Sequence, residues 1–479
     1  MTLLLLSLPL LVSPAGAQKL AFTDVSAQSG LWDVPTGWGV TAVDIDGDGH
    51  TDLVMANNGS ENALFFNEGK LRFRGRPLIG GAPGTEALVP ADVDGDGKLD
   101  LLACAWGGPL TLFRGLGAGR FADVTKKSGL AIIPDGRCGS ASFGDIDGDG
   151  DPDLFVPDGR KGDHLYRNDA GVLVDVTAAA GLANVPAGEG ALMADLDDDG
   201  RLDIYVARWS DASALYRFAE GGVYEDLSAL TDVFKPAGQV GCCALDANGD
   251  GNLDLLLVRG RFSEATYNCL LINDGKGGFT DRTPPEWTLL TRHTQTACVG
   301  DVDNDGDLDV FFSAADGCTL WLSDGQGHFS RAFEDAPWEK IPGAGAILCD
   351  LDDDGDLDLL VRARPTKELD VSGEFLFRND LNNGNWLKVQ PVSQSGSRFC
   401  LGVQVRVYDA GFLGDRQHLV ARRDVISGCG WGCYLPFHAH FGLDGAKQYD
   451  VEARFPGGTR GVARGVRAGQ TIEAKAGQA

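Results

Sequence analysis

Carboxylates recur along this chain in one nine-residue pattern, Asp-x-Asp/Asn-x-Asp-Gly-x-x-Asp, which occurs seven times. The copies start at Asp44, Asp92, Asp145, Asp195, Asp246, Asp301 and Asp350, at intervals of 48, 53, 50, 51, 55 and 49 residues. Carboxylates at positions 1, 3 and 5 of a tight turn aim alternate side chains at one point. Such a point suits a hard divalent cation, and calcium takes about 6–8 oxygens from carboxylates and carbonyls. Glycine at position 6 permits the sharp turn. Position 7 can add its main-chain carbonyl, and the aspartate at position 9 can offer both oxygens.

The predicted ligands of the first loop are Asp44, Asp46, Asp48, the His50 carbonyl and Asp52. The second loop offers Asp92, Asp94, Asp96, Lys98 and Asp100, and the third Asp145, Asp147, Asp149, Asp151 and Asp153. The fourth offers Asp195, Asp197, Asp199, Arg201 and Asp203. The fifth, with Asp246, Asn248, Asp250, Asn252 and Asp254, has one amide in place of a carboxylate and so one charge fewer. The sixth offers Asp301, Asp303, Asp305, Asp307 and Asp309, and the seventh Asp350, Asp352, Asp354, Asp356 and Asp358. About seven calcium ions are expected. An EF-hand is excluded, because it needs Glu at position 12 between helices. Position 12 is Met55, Ala103 and Val156 in the first three loops, inside apolar runs. A single such turn would read equally well as an Asx-turn, but seven complete copies do not.

The elements that position these loops follow from their flanks. A run of small and apolar residues precedes each loop, such as Gly39-Val40-Thr41-Ala42-Val43. Five residues before each loop the residue is always small: Gly39, Ala87, Ser140, Gly190, Gly241, Thr296 and Gly345. An apolar run follows, then a segment like Leu165-Tyr166-Arg167-Asn168, then one like Phe121-Ala122-Asp123-Val124-Thr125. Four short strands every ~50 residues, without helical periodicity, predict propeller blades. The expected fold is all-β, a seven-bladed β-propeller with calcium-binding loops plus a small C-terminal β domain. The small residues suit strands converging on the propeller axis. Cys242, Cys243, Cys298 and Cys349 lie on those strands and read as small buried hydrophobes. Phe22-Thr23-Asp24-Val25-Ser26 has the sequence of a fourth strand before any loop, and the seventh repeat lacks one. The N-terminal strand is therefore expected to complete the last blade.

The formal net charge is −28, which argues against nucleic acid as a partner. The loops account for it: they hold 27 aspartates at their side-chain ligand positions, and without those charges −1 remains. Met1 to Ala17 read as a secretory signal, with an apolar core from Leu3 to Val12 and Ala15-Gly16-Ala17 before the cut. The expected location is secreted, periplasmic or at the cell surface. No later run approaches the ~20 apolar residues of a membrane span. Of the 11 cysteines, Cys429 and Cys433 are spaced closely enough to pair.

The repeats resemble FG-GAP/VCBS repeats, the calcium-bearing blades also found in integrin α-chain heads. Beyond Asn385 the pattern stops. Trp386-Leu387-Lys388-Val389, Gly402 to Val407, His440-Phe441-Gly442-Leu443 and Val451 to Gly458 resemble the ASPIC/UnbV domain of the cartilage acidic protein family. Phe455 stands where that domain usually has Trp, and Cys429 to Cys433 interrupt the segment before the His-Phe-Gly-Leu motif. The expected organisation is a signal peptide (1–17), a propeller (18–384) and a C-terminal β domain (385–479). His438 and His440 are expected to pack or hydrogen-bond rather than hold a metal.

No nucleophile elbow, His-Glu-x-x-His or phosphate loop occurs. The leading reading is a non-catalytic, calcium-rigidified binding or adhesion scaffold. The alternative is an extracellular polysaccharide lyase or hydrolase, which needs a base beside a basic groove. The partner, an extracellular protein or acidic glycan, is expected on the face opposite the loops. Trp106, Arg160, Lys161, Arg208, Trp209, Arg259, Arg261, Arg362 and Arg364 fall there, after the second strands.

Overall fold

The computed structural model describes residues 20–478 except 33–36, 60, 79–83, 131–135, 161, 184–187, 220, 229–237, 261–266, 289–292, 368 and 429. The predicted signal peptide lies outside the described residues, as do Lys161, Arg261 and Cys429.

Each of the first six repeats forms four consecutive antiparallel strands of one sheet, and the seventh supplies three. In blade one these are Val40–Val43, Asp52–Met55, Asn62–Asn67 and Phe73–Leu78. The innermost strands are buried at every position in blades one to four and seven, as their unbroken small and apolar sequences require. The outermost strands face solvent, with Val172–Asp175 burying one residue of four. Among the described residues no helix is long and apolar enough to cross a membrane.

The ring closes as expected. Phe22–Asp24 pairs antiparallel with Gly373–Asn379, the third strand of blade seven, with Phe22 opposite Asn379. The chemistry of the joint matches the other blades. Thr125 Oγ1 accepts from Leu112 N, Thr177 Oγ1 from Leu165 N and Thr283 Oγ1 from Leu270 N, at 2.9–3.1 Å. At the closure Ser26 Oγ accepts from Leu376 N at 2.9 Å. Neighbouring blades are also stitched by an asparagine. Asn67 Nδ2 donates to Leu351 O of the preceding blade, and Asn168, Asn273 and Asn379 reach Val93, Leu196 and Val302 in the same way.

From Trp386 onward the chain forms two further sheets. One orders Ala439–Gly442, Trp386–Val392 and Gln470–Lys475; the other orders Leu419–Val425, Val403–Asp409, Tyr449–Arg454 and Arg460–Val466. Between them lies a separate core that includes Leu387, Val389, Val405, Phe441 and Val451.

One segment of this region leaves its sheets and enters the propeller axis. Cys433–Tyr434 pairs in parallel with the innermost strand of blade one, and Gly430 bridges to Cys242 on that of blade five. Tyr434 Oη donates to Ala141 O at 2.9 Å, and Ser142 Oγ donates to Ser427 O at 3.0 Å. The small residues before the aspartate loops thus make room for a strand as well as for one another. A Cβ on Gly39 would lie 2.4 Å from Gly432 O and 2.5 Å from Glu86 O, and one on Gly241 2.5 Å from Gly430 O. Gly430 to Cys433, the described part of the interruption before the His-Phe-Gly-Leu motif, belong to this plug. Because both obstacles at Gly39 are backbone, Gly39→Val should cost about 3 kcal/mol or more. Urea denaturation checks this, and a cost below about 1 kcal/mol would mean the plug yields freely.

Candidate functional site

Each aspartate loop joins the first and second strands of its blade. The turn is built by its own carboxylates. In loop one Asp44 Oδ2 accepts from Gly49 N at 3.0 Å, and Asp48 Oδ1 accepts from His50 N at 2.9 Å. The same position-1 to position-6 bond recurs at Asp92, Asp145, Asp195, Asp246 and Asp301. Position 6 has φ between +78° and +106° in all seven loops, a left-handed conformation that glycine adopts without strain.

The aspartate at position 9 is tied to the blade. Asp52 Oδ2 accepts from Ile45 N and its Oδ1 from Asn67 N, at 2.9 and 2.7 Å. The corresponding residues Asp100, Asp153, Asp203, Asp254, Asp309 and Asp358 also accept from two backbone N–H groups. This residue therefore locks the loop to the third strand, a role its sequence position does not reveal.

Positions 1, 3 and 5 converge. Carboxylate oxygens of Asp44, Asp46 and Asp48 lie within 4.8 Å of one another, as do those of Asp92, Asp94 and Asp96, and of Asp195, Asp197 and Asp199. In Asp145, Asp147 and Asp153, and in Asp301, Asp303 and Asp309, the position-9 carboxylate joins the group. Oδ1 of Asp92, Asp94, Asp197, Asp303, Asp350 and Asp352 is buried without a hydrogen-bond partner. All six sit at positions 1 and 3. Burial pushes Asp303 and Asp352 up to about 7, with like-charged neighbours adding to the effect. Buried, unpartnered, crowded carboxylate oxygens are costly as they stand. A hard cation supplies what each lacks, so these residues fit calcium.

The loop rim is not an open face. The C-terminal sheets lie across it and donate to the same aspartates. Lys388 Nζ reaches Asp350 Oδ2 at 2.7 Å, Gln404 Nε2 reaches Asp195 Oδ2 at 2.7 Å, and Ser397 Oγ reaches Asp92 Oδ2 at 2.9 Å. Gly442 N donates to Asp301 Oδ2 at 2.8 Å, and Arg406 pairs with Asp198. His440 Nε2 contacts Gly355 O at 2.8 Å, and burial lowers its pKa to about 4, so it acts as a hydrogen-bonding packing residue.

The opposite face needs correction against its sequence reading. Arg362 is 1% exposed and donates to Gly39 O and Ala56 O while pairing with Glu374. Arg208 is 4% exposed and donates to Tyr216 Oη, and Arg259 is 9% exposed. All three are buried rather than offered to a partner, Arg259 and Arg362 lie on second strands rather than in loops, and Arg362 joins blade seven to blade one. Arg160 is exposed. Trp106, Trp209 and Arg364 do come together, around a cavity of about 300 Å³ at the axial opening.

Two aromatic contributors, and all the polar ones but Arg364, are not legible in the sequence. Trp38, before the first strand of blade one, and Trp431, from the plug, complete the cavity's aromatic lining. Trp431 stacks between Trp38 and Trp106, with centroids 6.1 and 5.9 Å away and planes 12° and 8° apart. Arg364 covers Trp38 at 4.2 Å and Arg137 covers Trp106 at 3.9 Å. Glu86, Asn58, His293 and Gln295 add polar groups. Burial pushes Glu86 up to about 7, opposed by its hydrogen bond from Asn58.

Comparison with known proteins gives three results. The chain is 26% identical to cartilage acidic protein 1 of Homo sapiens over 333 residues, 67% of this chain and 48% of that protein. It is 26% identical to the Mus musculus protein over 439 residues, 88% of this chain and 61% of that protein. The chain thus spans about half to three fifths of the length of these relatives. Among solved structures, an Agrocybe aegerita lectin described as recognising non-reducing terminal N-acetylglucosamine aligns at TM-score 0.42 and 17% identity, covering 66% of this chain and 81% of that one. BBS1N, solved in complex with ARL6DN, aligns at TM-score 0.47 and 12% identity, covering 75% and 96%. The FG-GAP-like repeat model matches six overlapping segments that together run from residue 44 to residue 361, each starting at the first aspartate of a loop. With that match covering more than half of the sequence, the chain belongs to the FG-GAP-like repeat family.

Proposed function

We propose that this protein is a secreted, calcium-binding, non-catalytic scaffold that holds an extracellular protein or glycan partner. Residues 18–384 form the binding propeller and 385–479 its cap, with the signal at 1–17 removed. About seven calcium ions occupy the loops, held by the aspartates and Asn248 at positions 1, 3, 5 and 9, with the position-7 carbonyls. The carrying observation is the set of six buried, unpartnered oxygens at loop positions 1 and 3. When bound, calcium supplies charge neutralisation and rigidity; the chain's own residues then fix the rim to the C-terminal sheets. Equilibrium dialysis against roughly 10 mM calcium tests the reading: about seven calcium ions bound per chain are expected, and one or none would sink it.

Single-site loss is also informative. Asp301 is 1% exposed and accepts from Asp305 N, Gly306 N and Gly442 N. Asp301→Ala should remove one calcium and cost about 1–3 kcal/mol, since buried donors lose their acceptor. The other six loops are untouched, so calorimetry should still show a folded protein. Global unfolding at saturating calcium would show that the blades do not act separately.

A second reading, a polysaccharide-active enzyme, has one observation behind it: His293 lines the same cavity as Arg137 and Arg364. Release of new reducing ends from polysaccharides at stoichiometric protein would establish it, and none is expected.

A further inference from the structure

The channel mouth away from the loops holds four half-buried tryptophans around one cavity. Large indoles left partly in water at a concave site are an unspent apolar surface, because each can bury about 150–250 Å². The volume of about 300 Å³ is at the low end for ligand pockets, which span roughly 300–1,000 Å³, and suits a ligand of one or two rings.

The polar groups narrow the chemistry. Glu86 is 2% exposed and lines the cavity; its Oε1 accepts from Asn58 Nδ2 at 2.6 Å, and its Oε2 has no partner. A buried acceptor without a donor asks for a ligand N–H or O–H. The charges are balanced within the protein. Arg137 pairs with Glu189 at 3.1 Å, and Arg364 lies near enough to Glu86 to stabilise its charge. The guanidiniums also lie over the rings of Trp38 and Trp106. A quaternary ammonium would meet those cations, whereas an anion would face the buried Glu86 carboxylate and find Arg137 already paired. What remains is a neutral ring with one apolar face and hydroxyls at its edge.

We propose that this cavity binds a neutral pyranose, packed against the indole edges that line it, with a hydroxyl donating to Glu86 Oε2. This rests on the scaffold reading above and narrows its glycan partner to a neutral one, against the acidic glycan expected from the sequence. Trp431 makes the site composite: the propeller supplies three indoles and the C-terminal plug the fourth.

The test titrates the full chain, in calcium, with neutral cello-oligosaccharides and chito-oligosaccharides, matched uronate oligosaccharides and choline. Tryptophan fluorescence and calorimetry are the readouts. Saturable binding of a neutral sugar is expected, weakened about tenfold or more by Glu86→Gln and by Trp106→Ala. Glu86→Gln is isosteric and keeps the site testable if Trp106→Ala folds poorly. Preference for uronates, preference for choline, no sugar binding by the calcium-loaded protein, or binding indifferent to Glu86→Gln would each overturn the proposal. Melting of the same samples with and without chelator reports separately on the scaffold reading. Sugar binding that persists without any calcium-dependent melting would overturn calcium rigidification and leave the sugar site standing.

Discussion

In roughly 10 mM calcium, ten times the weak end of extracellular site affinities, the protein should melt higher than in excess chelator by on the order of 10 °C. The size follows from mass action. A site at ten times its Kd adds about 1.4 kcal/mol, and seven such sites add about 10 kcal/mol if unfolded chain binds no metal. That rivals the whole net stability of a typical domain, about 5–15 kcal/mol. The pH dependence carries a distinctive sign. Burial pushes Asp52, Asp100, Asp153 and Asp254 up to about 7 and Asp203 to about 8. Unfolded aspartates titrate near 3.9. Between those values the folded, metal-free chain binds more protons than the unfolded one. Its stability is therefore full below the unfolded value and is lost as pH rises through about 7–8. In chelator the melting temperature should fall from about pH 5 to about pH 8. In calcium the trend should reverse, because metal competes with protons for the same oxygens. Scanning calorimetry decides, and equal melting temperatures with and without chelator would refute the expectation.

The second large effect is expected at Arg422, where the C-terminal sheet meets the aspartate rim. Arg422 is 1% exposed and grips Asp424 through Nε and Nη2, both at 2.8 Å. It also donates to Gly251 O of blade five and Asp195 O of blade four, both at 3.2 Å. Arg422→Ala strands a buried carboxylate and two carbonyls, so a loss of about 3–5 kcal/mol is expected. Arg422→Lys should fall in between, since an ammonium cannot reproduce the two-pronged contact. Arg460→Ala is the control: its side chain is 61% exposed in the pair with Glu452, and about 1 kcal/mol or less is at stake. Equilibrium urea unfolding measures all three. Equal effects at Arg422 and Arg460 would mean the cap is only loosely seated.

The loops, the seven blades and the ring closure were all legible in the sequence, because each is written in short-range pattern. Ligand spacing within nine residues, strand alternation and a repeat near fifty residues need no knowledge of distant contacts. Even the closure was readable, since Asp24-Val25-Ser26 has the same local chemistry as Asp123-Val124-Thr125. Three features were decided only by the tertiary structure. By sequence Arg208, Arg259 and Arg362 fall in loops after second strands, yet Arg259 and Arg362 lie on those strands, all three are buried, and Arg362 satisfies carbonyls of the neighbouring blade. The loop rim looked like an acidic face but is covered by donors such as Lys388 and Gln404, lying 38 and 209 residues from their aspartates. The plug read as an interruption of a motif, because Gly430, Trp431 and Gly432 have no periodicity. Their meaning lies in the channel that only a closed ring creates, where a Cβ on Gly39 or Gly241 of the wall would strike the backbone of the strand within it.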